Sequence, residues 1–361
     1  MRIAQVAPLY ESVPPKLYGG TERVVSYLTE ELVRQGHDVT LFASGDSKTS
    51  ARLIAACPNA LRLDANCKDP LVHHANLLDI VFESAANFDV MHFHVDYLHF
   101  PLSTRQKIPH VTTLHGRLDL PDLVPLYRRF HDVPVVSISN AQRAPIPWAN
   151  WQATVYHGLP EDLLAYNERP GDYLAFLGRI SPEKGLDEAI EIARRSKQKL
   201  RIAAKVDPVD QSYFQEVIEP LLKNPYCEYI GEIGEAEKAD FLGNARALLF
   251  PINWPEPFGL VLIEAMACGT PVIAYPRGSV PEVIEDGLTG LLVDDVDGAV
   301  RAVSRVDRLS RSGCRKTFER RFTAYRMTRD YLQVYKRLRE PAMPNGAMAP
   351  RLQACTINGR I

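Results

Sequence analysis

This sequence of 361 residues lacks the features that mark several specialised classes of protein. No apolar run approaches the length of a membrane-spanning helix, and MRIAQVAPLY has the pattern of a first strand, not that of a signal peptide. The net charge is only −2, so no nucleic-acid partner is expected. The six cysteines include no C-x-x-C pair, which favours reduced thiols in a cytoplasmic protein.

The sequence does contain short β-rich runs that alternate with helical stretches, a pattern typical of parallel sheets with helices on both faces. We expect about six strands in each half. In the first half they are Ile3–Leu9, Asp38–Ala43, Val90–His94, His110–Leu114, Val133–Ser137 and Thr154–His157. In the second half they are Tyr173–Gly178, Leu200–Ala204, Cys227–Ile230, Ala247–Pro251, Pro271–Tyr275 and Gly290–Val293.

The halves also begin with the same order of elements: a strand, a loop, a helix and a strand. In the first half Thr21 is the predicted N-cap of the helix and Gly36 its end. This order predicts an α/β protein with two doubly wound, Rossmann-like domains, at 1–160 and 161–325, because Pro, Gly and polar residues cluster between them. A helical segment follows at 326–340 and a flexible tail at 341–361. Around that segment the predicted buried positions are Phe322, Tyr325, Tyr331, Val334, Tyr335 and Leu338.

The most informative stretch is PEPFGLVLIEAMACGTPVIAY, which begins at residue 255. It places Glu256 in a loop held extended by prolines, then Gly259, then an apolar helix that carries Glu264. The free amides and positive dipole at the start of that helix form a phosphate-binding site. A carboxylate on each side of this phosphate-binding site suits a nucleotide sugar, which has hydroxyls at both ends of a diphosphate. The alternative is a loop–helix–strand unit whose glutamates face solvent.

Other candidates follow strand ends, where open parallel sheets bind ligands. Arg179 and Lys184 in GRISPEKG could neutralise a diphosphate, or be two solvated loop cations. Gly19 and Gly20 could bring backbone close to the ligand, or form an ordinary turn. His115 in TLHG is a candidate to contact the reacting sugar, although a lone histidine is more often structural.

HFHVD supports a different hypothesis, a metal site. His92 and His94 would share one face of a strand, as metal ligands do in hydrolases of the amidohydrolase type. Those proteins are single eight-stranded barrels, whereas this sequence predicts two sheets. We therefore expect no metal at these histidines.

GRISPEKG, the Gly231–Lys238 stretch and EPFGLVLIEAMACGTPVIA resemble motifs of the retaining glycosyltransferases of family four, which have the GT-B fold. The resemblance covers about residues 1–340 and includes PPKLYGGTERVVSYLTEELVRQGHDVTLFASGDS. It implies two domains facing each other across a cleft, with the helix around Tyr331 crossing back onto the first. One departure is AAKVDPVD, where many relatives have glycines and this chain has Lys205.

The resemblance also implies a role for each matching residue. Glu256 would contact the hydroxyls of the donor sugar and Glu264 the ribose. Arg179 and Lys184 would bind the diphosphate, and His115 would lie near the reacting carbon. The remaining matches would contact the donor: Ile233 and Lys238 near the base, Phe258, Gly259 and Leu260 through backbone amides, and Gly19 and Gly20 over the phosphates.

The implied activity is transfer of a hexose from a nucleoside-diphosphate sugar, with UDP favoured over GDP, to an acceptor hydroxyl. The anomeric configuration would be retained and neither a metal nor another cofactor is expected. The acceptor could be a saccharide, a glycolipid or a small molecule, and peripheral membrane contact stays open. The alternatives are a sugar-nucleotide epimerase of the same fold and an inactive sugar-nucleotide-binding protein.

Overall fold

The computed structural model describes residues 1–16 and 19–340. Within that part of the chain thirteen strands form two sheets, one of seven strands and one of six. The first sheet contains β1 (Arg2–Val6), β2 (Asp38–Ser44), β3 (Arg52–Cys57), β4 (Val90–Phe93), β5 (His110–Thr113), β6 (Val135–Ser137) and β7 (Trp151–Thr154). The second contains β8 (Tyr173–Arg179), β9 (Lys199–Lys205), β10 (Cys227–Gly231), β11 (Ala245–Phe250), β12 (Val272–Ala274) and β13 (Gly290–Leu292).

Helices connect the strands and cover the faces of both sheets. They are α1 (Gly20–Arg34), α2 (Pro70–Glu83), α3 (Phe100–Ser103), α4 (Leu123–Arg129), α5 (Leu186–Ser196), α6 (Gln211–Tyr213), α7 (Glu219–Leu221), α8 (Glu235–Gly243), α9 (Leu260–Ala267), α10 (Val280–Val283), α11 (Val296–Val303), α12 (Arg311–Arg321) and α13 (Ala324–Arg339). A π-helical segment, Phe214–Ile218, joins α6 to α7. Short 3₁₀ turns occur at Leu61–Leu63, Ala85–Asn87, Ala141–Arg143, Pro182–Lys184, Pro208–Asp210 and Val306–Arg308.

All the strand pairs are parallel, and the strand order reverses once in each sheet. The orders are β3-β2-β1-β4-β5-β6-β7 and β10-β9-β8-β11-β12-β13. The reversal lies between β1 and β4 in one sheet and between β8 and β11 in the other. A crevice opens at such a point beyond the carboxyl ends of the strands, and ligands bind there. The predicted α/β class with two doubly wound sheets is confirmed.

Local details differ from the sequence-based prediction. Strand β3 was not predicted, and the last strand of the first sheet ends at Thr154 rather than beginning there. Helix α1 has Gly19 as its N-cap, not Thr21, and no side chain caps it within the described range. A Cβ at Gly19 would lie 2.8 Å from Cβ of Pro15, so only glycine fits where the loop enters the helix.

The last helix, α13, packs against the first sheet and α1. The Tyr331 and Tyr335 side chains are fully buried there, and their hydroxyls bond Thr113 and His92 on the strands. Tyr325 was predicted to be buried but is 55% exposed, because it lies on the solvent side of the first turn. The predicted flexible tail lies outside the described residues. Among the described helices we find none with the length and apolar character needed to cross a membrane.

Candidate active site

A cleft of about 630 Å³ opens between the carboxyl edges of the two sheets. Residues from both sheets line it, and they include all twelve positions selected from the sequence. Those positions are Gly19, Gly20, His115, Arg179, Lys184, Ile233, Lys238, Glu256, Phe258, Gly259, Leu260 and Glu264. The fold thus brings the candidates together, while their individual roles stay predictions.

Glu256 is the best-anchored carboxylate of the cleft. Its side chain is nearly buried, and Oε2 accepts hydrogen bonds from Lys184 Nζ at 2.6 Å and from Trp254 Nε1 at 3.0 Å. The loop is also fixed through its backbone, because the Ser279 amide donates to the Glu256 carbonyl at 2.9 Å. A carboxylate oxygen that accepts two such bonds is a poor nucleophile and a well-placed hydrogen-bond acceptor.

Gly259 is the N-cap of α9 and has a left-handed φ of 80°, which favours glycine. No side chain of the described residues caps this helix, so its first amides are available to a ligand in the cleft. Across the cleft, a Cβ at Gly20 would lie 3.6 Å from Cδ1 of Leu260, which shows how closely the α1 and α9 helix starts approach. An anion between them would interact with the positive end of the α9 dipole.

The cations predicted to bind a diphosphate are already paired with carboxylates. Arg179 Nη2 bonds Glu183 Oε1 at 2.5 Å, and its guanidinium lies 3.6 Å from Asp210 and 3.7 Å from Asp207. Lys205, the departure noted in the sequence, bonds Asp207 at 2.9 Å. These acidic partners hold the guanidinium in one orientation, so a phosphate entering the cleft would have to compete with them.

A second charged group includes Lys238 and Glu264, which were selected from the sequence, and Glu235 and Arg23, which were not. Lys238 Nζ bonds Glu264 Oε1 at 2.7 Å and lies 3.4 Å from Glu235 Oε2. Glu235 also pairs with Arg23 on α1, and the Arg23 side chain is buried. No sequence signal connects residues 23 and 235, because only the folded arrangement brings α1 against α8.

The histidines of HFHVD are hydrogen-bonded to other protein groups in this structure. Both ring nitrogens of each are engaged by protein groups: His92 bonds Tyr335 and Thr113, and His94 bonds His115 and Gln5. Burial lowers the pKa of His115 to about 3 and holds the pKa values of His92 and His94 well below the usual range, so all three are neutral. Within the described part of the chain, no three His, Cys, Asp or Glu residues are grouped to hold a metal ion.

Glu22, on the first turn of α1, is a buried carboxylate that was not selected from the sequence. Its side chain lines the cleft, and desolvation raises the pKa of its carboxyl from 4.5 to about 7. A carboxyl whose pKa is raised by folding binds its proton more tightly in the folded state. Its contribution to stability is therefore fully present below pH 4.5 and is lost as the pH rises through 7.

The Glu22→Gln variant is accordingly expected to be more stable than the natural chain at alkaline pH. The difference in free energy of unfolding should be close to zero at pH 4 and reach up to about 2–3 kcal/mol at pH 8. Urea unfolding at both pH values measures it. Glu161→Gln, at an exposed position, is the control and should show no such pH dependence. An equal gain in the free energy of unfolding at pH 4 and pH 8 would contradict the raised pKa of Glu22.

Comparison with known proteins agrees with this architecture. Residues 18–158 match the family described as Glycosyltransferase Family 4, and residues 166–322 match Glycosyl transferases group 1. An uncharacterized 41.2 kDa protein in the cps region of Klebsiella pneumoniae is 34% identical over 173 residues, 45% of this chain and 46% of that protein. The chain thus spans about half the length of this relative.

Two further similarities extend over most of the chain. The alpha-maltose-1-phosphate synthase of Mycolicibacterium smegmatis is 26% identical over 339 residues, 81% of this chain and 84% of that protein. The structure of Anabaena HepE in complex with UDP and glucose has a TM-score of 0.73 at 20% identity, covering 93% of this chain and 100% of that one. At this identity the structural similarity shows the fold alone.

The paired parallel sheets, the cleft between their carboxyl edges and the similarity to solved structures define the GT-B fold. The first half of the chain matches the Glycosyltransferase Family 4 description, and the second half, which contains the Glu256 loop, matches Glycosyl transferases group 1.

Proposed function

We propose that the protein transfers a hexose from a nucleoside-diphosphate sugar to an acceptor hydroxyl, with retention of configuration and without a metal. The observation that carries this proposal is the arrangement of Lys184, Glu256 and the α9 start at Gly259 on one wall of the cleft. A cation and open amides suit a diphosphate, and the carboxylate beside them suits sugar hydroxyls. UDP is the favoured nucleotide, as in the HepE complex with UDP and glucose.

The proposed chemistry depends on the charge that develops as the sugar leaves the diphosphate. The amides after Gly259 and the cations of Arg179 and Lys184 face the leaving phosphate and stabilise that charge. In this proposal these amides and cations, already held in position, take the role that a divalent cation has in other transferases. Glu264, held by Lys238, is the proposed partner of the ribose.

The proposed retention requires the acceptor hydroxyl to attack from the face that the diphosphate leaves. The carboxylate beside it, Glu256, is held by Lys184 and Trp254 and is not a free nucleophile. The departing phosphate oxygen is then the proposed acceptor of the proton from the attacking hydroxyl, on the same face that the diphosphate leaves. Closure of the cleft excludes water and limits hydrolysis.

The test begins with a thermal-shift screen of UDP- and GDP-hexoses, because a matched donor stabilises the folded state. The stabilising donor is then incubated with saccharide, glycolipid and small-molecule acceptors, with and without EDTA, and the anomeric configuration of the product is read by NMR. The proposal expects retention and undiminished activity in EDTA. Isomerised sugar nucleotide without an acceptor would indicate an epimerase. Donor binding with no turnover would indicate an inactive binding protein.

A further inference from the structure

A continuous chain of hydrogen-bonded side chains runs from the cleft to the last helix. Its members, in order, are His115, His94, Gln5, Tyr335, His92, Thr113 and Tyr331, and the six bonds between them measure 2.9, 2.9, 3.1, 2.7, 2.7 and 2.9 Å. All members except His115 are buried. The first member lines the cleft, and two later ones belong to α13.

The amide of Gln5 gives the chain a direction. Gln5 Nε2 donates to the Tyr335 hydroxyl, so Gln5 Oε1 accepts from the Nε2–H of His94. A neutral imidazole has one donor and one acceptor nitrogen, which makes Nδ1 of His94 an acceptor. The bond to His115 must then be donated by the Nε2–H of His115.

The other half of the chain continues in the same sense. With its oxygen accepting from Gln5, Tyr335 donates its proton to Nδ1 of His92. The Nε2–H of His92 then donates to the Thr113 hydroxyl, which donates to Tyr331. Each inner member of the chain donates one hydrogen bond and accepts one. The direction of one bond is therefore linked to the direction of the others.

Neutral histidines are required for this order. An imidazolium at His92 or His94 would present two N–H donors and leave one of them facing another donor. Their rings lie only 4.1 Å apart between centroids and are fully buried, so a charge there would be desolvated. The chain is therefore stable only as a neutral, ordered set of bonds.

At the cleft, the direction of these bonds determines which ring nitrogen of His115 carries the proton. Its Nε2–H is used by His94, so Nδ1 has a lone pair and no proton. No group among the described residues bonds Nδ1. We propose that the hydrogen-bonded chain fixes this tautomer and that Tyr335 is the residue that positions it, so that Nδ1 of His115 is an acceptor for the donor sugar expected beside it. The role toward the sugar rests on the proposed function, whereas the tautomer does not.

The tautomers are read by ¹⁵N NMR of the histidine-labelled full chain without ligand. The proposal expects Nε2–H at His115, His94 and His92. A proton on Nδ1 of His115, or a mixture of tautomers, would overturn it. This measurement needs no activity, so its outcome is independent of whether the proposed transferase function is correct.

Two variants interrupt the chain between the cleft and the last helix. Tyr335→Phe removes the hydroxyl that orients Gln5, and Gln5→Met removes both of its bonds at similar volume. Each is expected to mix the His115 tautomers and to lower kcat/KM for the donor sugar about five- to twenty-fold. Affinity for UDP, which lacks the hexose proposed to contact His115, should stay within about twofold of the natural protein.

Tyr127→Phe is the matched control, because it removes a hydroxyl from another buried tyrosine that is not in the chain. It should leave the histidine spectrum and kcat/KM unchanged. If a variant folds and keeps the His115 tautomer of the natural protein, the hydrogen-bonded chain does not set that tautomer and the proposal fails. If the tautomers mix but kcat/KM does not fall, the contact between Nδ1 and the sugar is refuted.

Discussion

Replacing Lys184 with methionine should lower kcat about 10²–10³-fold, which corresponds to roughly 3–4 kcal/mol of barrier. The ammonium lies 2.6 Å from Glu256 and faces the position proposed for the leaving diphosphate. It would stabilise charge that is larger in the transition state than in the bound donor, so the effect falls mainly on kcat. The methionine keeps most of the aliphatic length of the side chain, which limits structural change, and removes the ammonium that lies 5.3 Å from the centre of the Trp254 ring.

The measurement is the transfer rate with the donor identified by thermal shift. Lys199→Met is the matched control, because its ammonium also bonds a carboxylate at 2.7 Å but both side chains of that pair are more than half exposed. It should cost less than twofold in rate, because an exposed ion pair far from the cleft is screened by solvent. A Lys184→Met enzyme that keeps more than a tenth of the natural kcat would contradict the role given to this lysine.

The positions of the candidate site residues were predictable because they follow from local order. A strand followed by Arg179 and a short loop, or by Glu256 and a glycine-started helix, places those side chains at the carboxyl edge of any parallel sheet. The paired doubly wound sheets follow from the same alternation of strands and helices. Local pattern thus determines both the class of fold and the edge where the ligand binds.

The partners of those residues could not be predicted, since they come from distant parts of the chain. Arg23 meets Glu235 only when the fold brings the two residues together, and His94 is linked through Gln5 to Tyr335, more than two hundred residues later. Strand β3 was missed for a different reason. It pairs in parallel with β2 after the short connection 45–51, whereas parallel neighbours usually need a crossover of a dozen residues or more.

Replacing Gly278 with alanine is the backbone change expected to do most damage to the site. Gly278 has a left-handed φ of 57°, and a Cβ there would lie 2.4 Å from both the backbone nitrogen and oxygen of Glu256. The alanine would strain its own backbone and push away the loop that holds the Glu256 carboxylate beside Lys184. We expect a loss of about 2–5 kcal/mol in the free energy of unfolding. Because catalytic geometry tolerates little displacement, transfer should fall at least about 100-fold.

Gly287→Ala is the control that separates backbone strain from the steric contact with Glu256. Gly287 also has a left-handed φ, of 75°, but a Cβ there would meet nothing within 4 Å. Gly287→Ala should therefore show backbone strain alone, about 1–2 kcal/mol, with transfer nearly unchanged. Urea unfolding and the transfer rate are measured on both variants. The difference between the two variants gives the steric contribution at Gly278. Equal losses of stability and activity in the two variants would mean that the contact with Glu256 does not hold the loop in place.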